Sequence, residues 1–282
     1  MTITAKIIAD SLSKGGQRLT TMQLRYPRFV HAEFMTHRVF SRNASSSRAI
    51  PVERLIQDVL DDTAMPIHWG KNQPGMQARE EHDALVVFRN DAVPPDLAWT
   101  RARDVAIAAA ERFSKAGYHK QIVNRLLEPF SHINVVVTAT EWDNFFTLRH
   151  HPDAQPEINE LAVQMLEAMW ASKPALLDGE FAMHLPYVSN EEMWQIVNDI
   201  GVTDRDELNT YGCRVSAARC ARVSYLTHEG RTPDLRSDLD LFDRLAAGRP
   251  QHLSPMEHQA TPSPGWHANF YGWRQFRKDI EL

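Results

Sequence analysis

The chain has little of what several protein classes require. It carries two cysteines in 282 residues, Cys213 and Cys220. That is too few for a disulfide framework at this length, and they lack the paired spacing of a metal-ligand set. Both read as reduced thiols behaving as small hydrophobes. No apolar run approaches the ~20 residues that span a bilayer, and Met1 to Lys6 lacks a signal-peptide core, so a cytoplasmic protein without a membrane partner is expected. An excess of positive charge is also missing. The formal net charge of -5 excludes the broad cationic surface of a duplex nucleic-acid binder, so any phosphate recognition must be local. Of the 13 histidines, none forms His-Glu-x-x-His or a cysteine–histidine cluster, and no metal is expected. A G-x-G-x-x-G dinucleotide fingerprint is absent, as are repeats and low-complexity tracts.

What is present suits an enzyme with a large core, since 43% of residues are hydrophobic. The densest polar stretch is Thr36 to Arg48, with three arginines, one histidine and five hydroxyl side chains in thirteen residues. Guanidinium and hydroxyl donors hold phosphate oxygens through charge-assisted hydrogen bonds, so this stretch reads as an anion site. Periodicity predicts a half-buried strand over Arg18 to Tyr26 and a helix over Val30 to Phe40 that delivers His37 and Arg38 to a polar loop. Further helices are expected over Val52 to Leu60, Asp96 to Ala116, His119 to Leu127, Pro156 to Ser172 and Ser237 to Ala247, the last stopped by Gly248. Ile133 to Thr138 is a β-branched run suited to a buried strand. Met65 to Met76, broken by Pro66, Gly70, Pro74 and Gly75, is a long loop. The methionines of the Pro156 to Ser172 helix read as a core stripe.

Three blocks together resemble the flavin-dependent thymidylate synthases. His37, Arg38, Ser41, Asn43, Ser46 and Arg48 fall on that family's Arg-His-Arg, Ser, Asn and Ser-x-Arg positions. Arg125 to Pro129, Thr138 to Arg149 and Asp153 to Ile158 resemble its closing block. Its opening block resembles Ala221 to Tyr225 and His252 to His258, which here come last. The order is similar to that of a circular permutant, which is tolerated where old ends can be bridged at the surface. The resemblance implies an α+β fold with mixed helices around an antiparallel sheet, forming a single catalytic domain over 1–282. Residues 1–175 would hold the family's middle and closing blocks, 176–212 a bridge, 213–262 the opening block and 263–282 a tail.

The implied activity is reductive methylation of dUMP to dTMP with FAD as cofactor and methylenetetrahydrofolate and NADPH as co-substrates, in a homotetramer. No side-chain nucleophile is needed, and neither cysteine is placed as one. Carried over residue by residue, Glu33, Ser46, Ser47, Arg48, Arg125 and Arg149 are the nucleotide-binding candidates. Arg149 is also the catalytic one, facing the pyrimidine edge and stabilising its N3 anion. His37, Arg38, Val39, Asn43, Thr138, Thr140, Asn144, Ser224, His252, Ser254 and Glu257 are the cofactor-binding candidates, with His252 near the face where folate stacks.

Departures from the family pattern leave other readings open. Thr36 replaces the first arginine, Ala44 an acidic residue and Ala49 an aromatic one, while Thr138 and Thr140 stand where Asn-x-Arg would align. Glu33 sits where glutamine is common, and a carboxylate near the base can accept from the amino group of a cytosine. The second reading is therefore a flavin- and folate-dependent methylase or hydroxymethylase of another pyrimidine nucleotide, such as dCMP. A third is a silent flavin- or nucleotide-binding module, against which Arg149 and Glu257-His258 argue. The tail from Trp266 to Lys278 interleaves aromatics and cations. Such a segment can stack bases, but packing against the protein or a neighbouring subunit is expected.

Overall fold

A computed structural model of the chain describes residues 1–178, 182–202, 204–223 and 234–280. Its central sheet has five strands in the order β3-β6-β2-β1-β7. These are β1 (Thr4–Leu12), β2 (Arg18–Pro27), β3 (Ser41–Ala44), β6 (His132–Ala139) and β7 (Ala175–Leu176). All neighbours are antiparallel except β7, which runs parallel to β1. Two hairpins stand apart: β4 (Val86–Phe88) with β5 (Asp91–Val93), and β8 (Ala260–His267) with β9 (Phe270–Gln275). The helices are α1 (His31–Phe34), α2 (Val52–Asp61), α3 (Pro95–Lys115), α4 (Lys120–Val123), α5 (Asp143–Arg149), α6 (Pro156–Ala171), α7 (Asn190–Ile200), α8 (Arg205–Arg222), α9 (Leu235–Ala247) and α10 (Arg277–Ile280).

Strand β6 is apolar on both faces because both are covered. Alternate side chains of a strand point to opposite faces, and Ile133, Val135, Val137 and Ala139 pack with Ile158, Leu161, Ala162 and Met165 of α6. Val136 turns the other way, onto Cys220 and Val223 at the end of α8. A strand buried on both sides reads as a continuous apolar run, which is why Val135-Val136-Val137 lacks alternation. The α6 residues are fully buried, with Ile158, Leu161 and Met165 each stabilising by about 1.5–3 kcal/mol. Met165 is the core residue its helical spacing suggested.

Helix α8 is buried around most of its girth, from Gly212 to Ala221. A Cβ on Gly212 would lie 2.7 Å from Met193 Sδ, so glycine is what lets α7 approach this closely. Buried Arg219 donates from Nε to Asp238 Oδ2 (2.9 Å) and from Nη1 to Glu192 Oε1 (2.6 Å) and the Tyr187 carbonyl (2.6 Å). The network ties α7, α8 and α9 together, and removing one partner of so buried a pair strands the other. The segment expected as a bridge thus supplies Met193, Ile196, Val202 and Leu208 to the core.

Three sequence expectations are corrected. The helix expected over Val30 to Phe40 stops at Phe34, because the Thr36 hydroxyl takes the Glu33 carbonyl (2.7 Å) and Arg42 takes those of Met35 and His37 (3.1 and 3.0 Å). Such side-chain bonds compete with helix continuation. The polar loop contains β3, which adds to the β6 edge with Ser41 and Asn43 buried. The helix expected over His119 to Leu127 is α4 followed by a 3₁₀ segment, Asn124–Phe130, since Pro129 offers no N–H and Asn124 bonds the Ser47 and Ile50 carbonyls (2.7 and 3.0 Å). The tail packs as expected: Phe270 and Trp273 of β9 are fully buried.

A buried polar chain crosses the sheet. His184 joins Ser11 (2.8 Å) to Thr21 (2.7 Å), Thr21 meets Thr138 (2.7 Å), and Thr138 meets His258 Nδ1 (2.8 Å). Burial first, and then the charge of Asp10 in the opposing direction, sets His184 at about 3; burial and neighbouring His184 hold His258 at about 3. Both imidazoles are neutral when folded and accept protons when unfolded below about pH 6.5. Their contribution is complete above that pH and is lost as pH falls toward 3, at roughly 1.4 kcal/mol per pH unit for each ring. Denaturant unfolding should therefore show stability falling between pH 6.5 and 4.5, with a shallower slope in His184→Asn. Equal slopes in the two proteins would show that this ring is not held neutral.

Candidate active site

The candidate residues gather in three groups around β3. In the first, α5 ends on Arg149, whose carbonyl is fixed by Asn159 Nδ2 (3.0 Å). Its guanidinium turns back to the 35–40 turn: Nε donates to His37 Nε2 (3.0 Å), and Nη2 to Thr36 Oγ1 (3.1 Å) and the Glu33 carbonyl (3.4 Å). His37 is 5% exposed, edge-on to Phe145 with centroids 4.9 Å apart. Burial, then the Arg149 and Arg42 charges, push it down to about 4. It is thus a neutral imidazole whose accepting Nε2 leaves the proton on Nδ1. The Glu33 side chain is half-buried, and its Oε2 is buried without a hydrogen-bond partner.

The second group joins β3 to the late motif. Asn43 donates to the Cys220 carbonyl (2.9 Å) and accepts from Ser254 Oγ (3.2 Å). Gln275 bridges Ser41 Oγ (2.8 Å) and the Glu257 carbonyl (3.1 Å). The Glu257 carboxylate is engaged by Arg277. His252 is exposed. In the third group, Ser47 Oγ donates to Glu128 Oε1 (2.7 Å), which also receives Arg125 Nη1 (2.9 Å). Ser46 is half-buried, and Arg48 is exposed. Arg28 lies beside this group: Nη2 donates to the Ser45 carbonyl (3.3 Å), while its buried Nε has no partner.

Other candidates are placed less simply. Arg38, Val39 and Asn144 are exposed on the turn and α5. Thr138 is fully buried, its hydroxyl committed to Thr21 and His258, so it offers no surface to a cofactor as the chain is folded. Thr140 accepts from the Tyr271 amide (3.1 Å). Ser224 lies outside the described residues. Among the described residues, no hydrogen bond joins the Arg149 group to the Ser47–Arg125 group. Glu128, Arg28, Asn159 and Arg277 went unread; Glu128 lies within the quoted Arg125 to Pro129 motif, but an acid beside arginines carried no phosphate signal. A cavity of about 760 Å³ between the 13–17 turn and the β8–β9 hairpin, lined by Lys14, Gln17, Arg205 and Tyr271, contains none of the candidates. Among the described residues, no cluster of three metal-ligating side chains occurs, and no helix is long and apolar enough to cross a membrane.

The model of the thymidylate synthase complementing protein family matches residues 18–175. The chain belongs to that family of flavin-dependent enzymes. The matched span holds the first and third groups and β3, but not Ser254, His252 or Glu257. No curated protein matches significantly. Among solved structures, the chain is similar to the UMP/dUMP methylase PolB from Streptomyces cacaoi bound with 5-Br dUMP. Identity is 20% over 60% of this chain and 90% of that one, with a TM-score of 0.45. The same enzyme bound with 5-Br UMP gives 20% identity, 60% and 89% coverage and a TM-score of 0.40.

For a flavin, the donor set fits: Arg38 and Asn144 are exposed donors, His37 is a neutral imidazole, and Ser254 lies one hydrogen bond from β3. Cationic and neutral donors without a facing metal cluster suit a diphosphate-bearing ring system. The His37–Arg149 contact has a direct readout. In Arg149→Ala, the His37 pKa followed by NMR should rise from about 4 yet stay below the ordinary value, because burial remains. An unchanged value would show that the guanidinium does not face the ring in solution.

Proposed function

We propose that the protein is a methylase of pyrimidine nucleoside monophosphates, with dUMP to dTMP as the family's standard reaction. The carrying observation is Arg149, a guanidinium locked by neutral groups only. Among the described residues no carboxylate pairs with it, so its charge is available to charge that develops on a bound base. Methylenetetrahydrofolate supplies the carbon at the oxidation level of formaldehyde, NADPH supplies two electrons, and the pyrimidine gives up its C5 proton. A flavin held by the residues below would supply the hydride-transfer chemistry.

The chain's own residues do the binding and orienting. Arg48, Arg125, Ser46 and Ser47 are assigned to the nucleotide phosphate, with Glu128 holding Ser47 and Arg125 in register until the anion arrives. Neutral His37 fixes the Arg149 fork without adding a second charge. Arg38, Asn144, His252 and Ser254 are assigned to the flavin. Sites shared between copies of a homotetramer are part of this reading, as the family resemblance implies. The hydrogen bond between Asn43 and Ser254 sets the late motif against the early one, which supports reading the late motif as a displaced opening block. A cytosine nucleotide as acceptor is the second reading, favoured by the unpartnered oxygen of Glu33.

The test separates chemistry from binding. Arg149→Ala should lower turnover at saturating nucleotide by roughly 10²–10³, the scale of one lost oxyanion donor. Arg48→Ala should chiefly raise the nucleotide dissociation constant. Full turnover in Arg149→Ala would make that residue structural and remove the basis for the proposed role.

A further inference from the structure

Glu128 sits where the donors assigned to the nucleotide phosphate converge, and it is itself an anion. Its Oε1 accepts from Ser47 Oγ (2.7 Å) and from Arg125 Nη1 (2.9 Å), and its Oε2 lies 3.2 Å from the same nitrogen. A partly exposed ion pair three residues apart is by itself worth little, but here a second donor comes from a residue 81 positions away. That donor is held in place. Ser47 is 4% exposed, and Asn124, on the 3₁₀ segment that carries Arg125 and Glu128, donates to the Ser47 and Ile50 carbonyls (2.7 and 3.0 Å). The charge of Arg28 acts on the same spot. Burial pushes its pKa down and the Glu128 charge opposes that shift, yet among the described residues Arg28 is in no ion pair.

A hydroxyl and a guanidinium directed at one oxygen are the contacts that hold a phosphate oxygen. In the free chain the carboxylate has them. A phosphate dianion cannot take them while Glu128 stays, because two anions on one donor set repel at contact distance. Glu128 is the one able to leave. Its side chain is 23% exposed and that of Arg125 58%, so the carboxylate can swing into water, which replaces the donors it gives up.

We propose that Glu128 is a built-in competitor for the nucleotide phosphate, seated on Ser47 and Arg125 in the free chain and displaced when the phosphate arrives. This rests on the reading of Ser47 and Arg125 as phosphate-binding residues. The phosphate then adds less to the affinity of a nucleoside than its donors could give. Inorganic phosphate, which brings no base contacts to offset the displacement, is disfavoured, so the site selects a phosphate that comes attached to a nucleoside.

Calorimetric titration of the FAD-loaded full-length protein tests this without turnover, comparing dUMP with deoxyuridine, dCMP with deoxycytidine, and inorganic phosphate alone. Glu128→Gln keeps an acceptor oxygen and the shape but removes the charge, and its melting curve checks the fold. The variant should bind the nucleotide roughly tenfold or more tighter, the scale of one charge-assisted contact, with the matching nucleoside unchanged. Inorganic phosphate should bind the variant more tightly than the native protein. Unchanged nucleotide affinity in Glu128→Gln would overturn the proposal, and weaker binding would make Glu128 a support for the donors in place of their competitor. Equal tightening of nucleotide and nucleoside would also overturn it, since the effect would not act through the phosphate. Arg125→Ala separates failure of the underlying reading: native-like nucleotide affinity in that variant, or no nucleotide binding by either the native protein or Glu128→Gln, would remove the phosphate assignment and the competitor with it.

Discussion

Burying β6 on both faces is the constraint to which the other parts answer. A strand with no solvated side needs a helix on each face, and α6 and α8 come from opposite ends of the chain to supply them. Its backbone groups also need partners on both edges, which β2 and β3 provide. Pairing with β6 is what converts a run of serines and arginines into an ordered strand. Once β3 is fixed, Ser41 and Asn43 point into the protein, the 35–40 turn is held behind Arg42, and Ser254 and Gln275 have a surface to bond.

The same burial governs the electrostatics. Thr138 points into the α8 side of β6, where an isolated hydroxyl would be costly, and the imidazoles of His258 and His184, held neutral by burial, give it and Thr21 their partners. His37 is neutral for a related reason, with burial and two nearby guanidiniums opposing its protonation. A charged His37 would repel Arg149; a neutral one accepts from it and aims it. Histidines therefore serve here as donors and acceptors of fixed direction rather than as charges.

Much of this was legible in the residues, and the rest failed for identifiable reasons. Helices with strong periodicity and a proline start, such as α3 and α6, came out within a residue or so at each end, as did β6. The Val30 to Phe40 helix did not, because Thr36 and Arg42 capture carbonyls that periodicity cannot see. Helix α7 lay within the segment read as a bridge and α8 ran across its end into the opening block; α8 is buried over most of its girth and has no amphipathic signature, although Ser189 and Asp204 cap the two starts. Asn43 and Ser254 meet at β3 and Arg149 meets His37, while Arg38, Val39, Asn144 and His252 are exposed. Thr138 did not join them, because it falls on the α8 side of β6, where its hydroxyl is committed to Thr21 and His258. Which acid would hold an unpartnered oxygen was invisible, since the residue pattern does not show that Glu33 meets Arg149 through its backbone carbonyl and not through its carboxylate.

The central claim is that these groups serve transfer of one carbon to C5 of a pyrimidine nucleotide. Its most direct measurement is the mass of the nucleotide recovered after incubation of the protein with FAD, NADPH, methylenetetrahydrofolate and either dUMP or dCMP. The expected result is a product heavier by one CH₂ group, with loss of the C5 hydrogen and dependence on Arg149. Recovery of both nucleotides unchanged, from a folded protein that binds FAD and nucleotide, would contradict it.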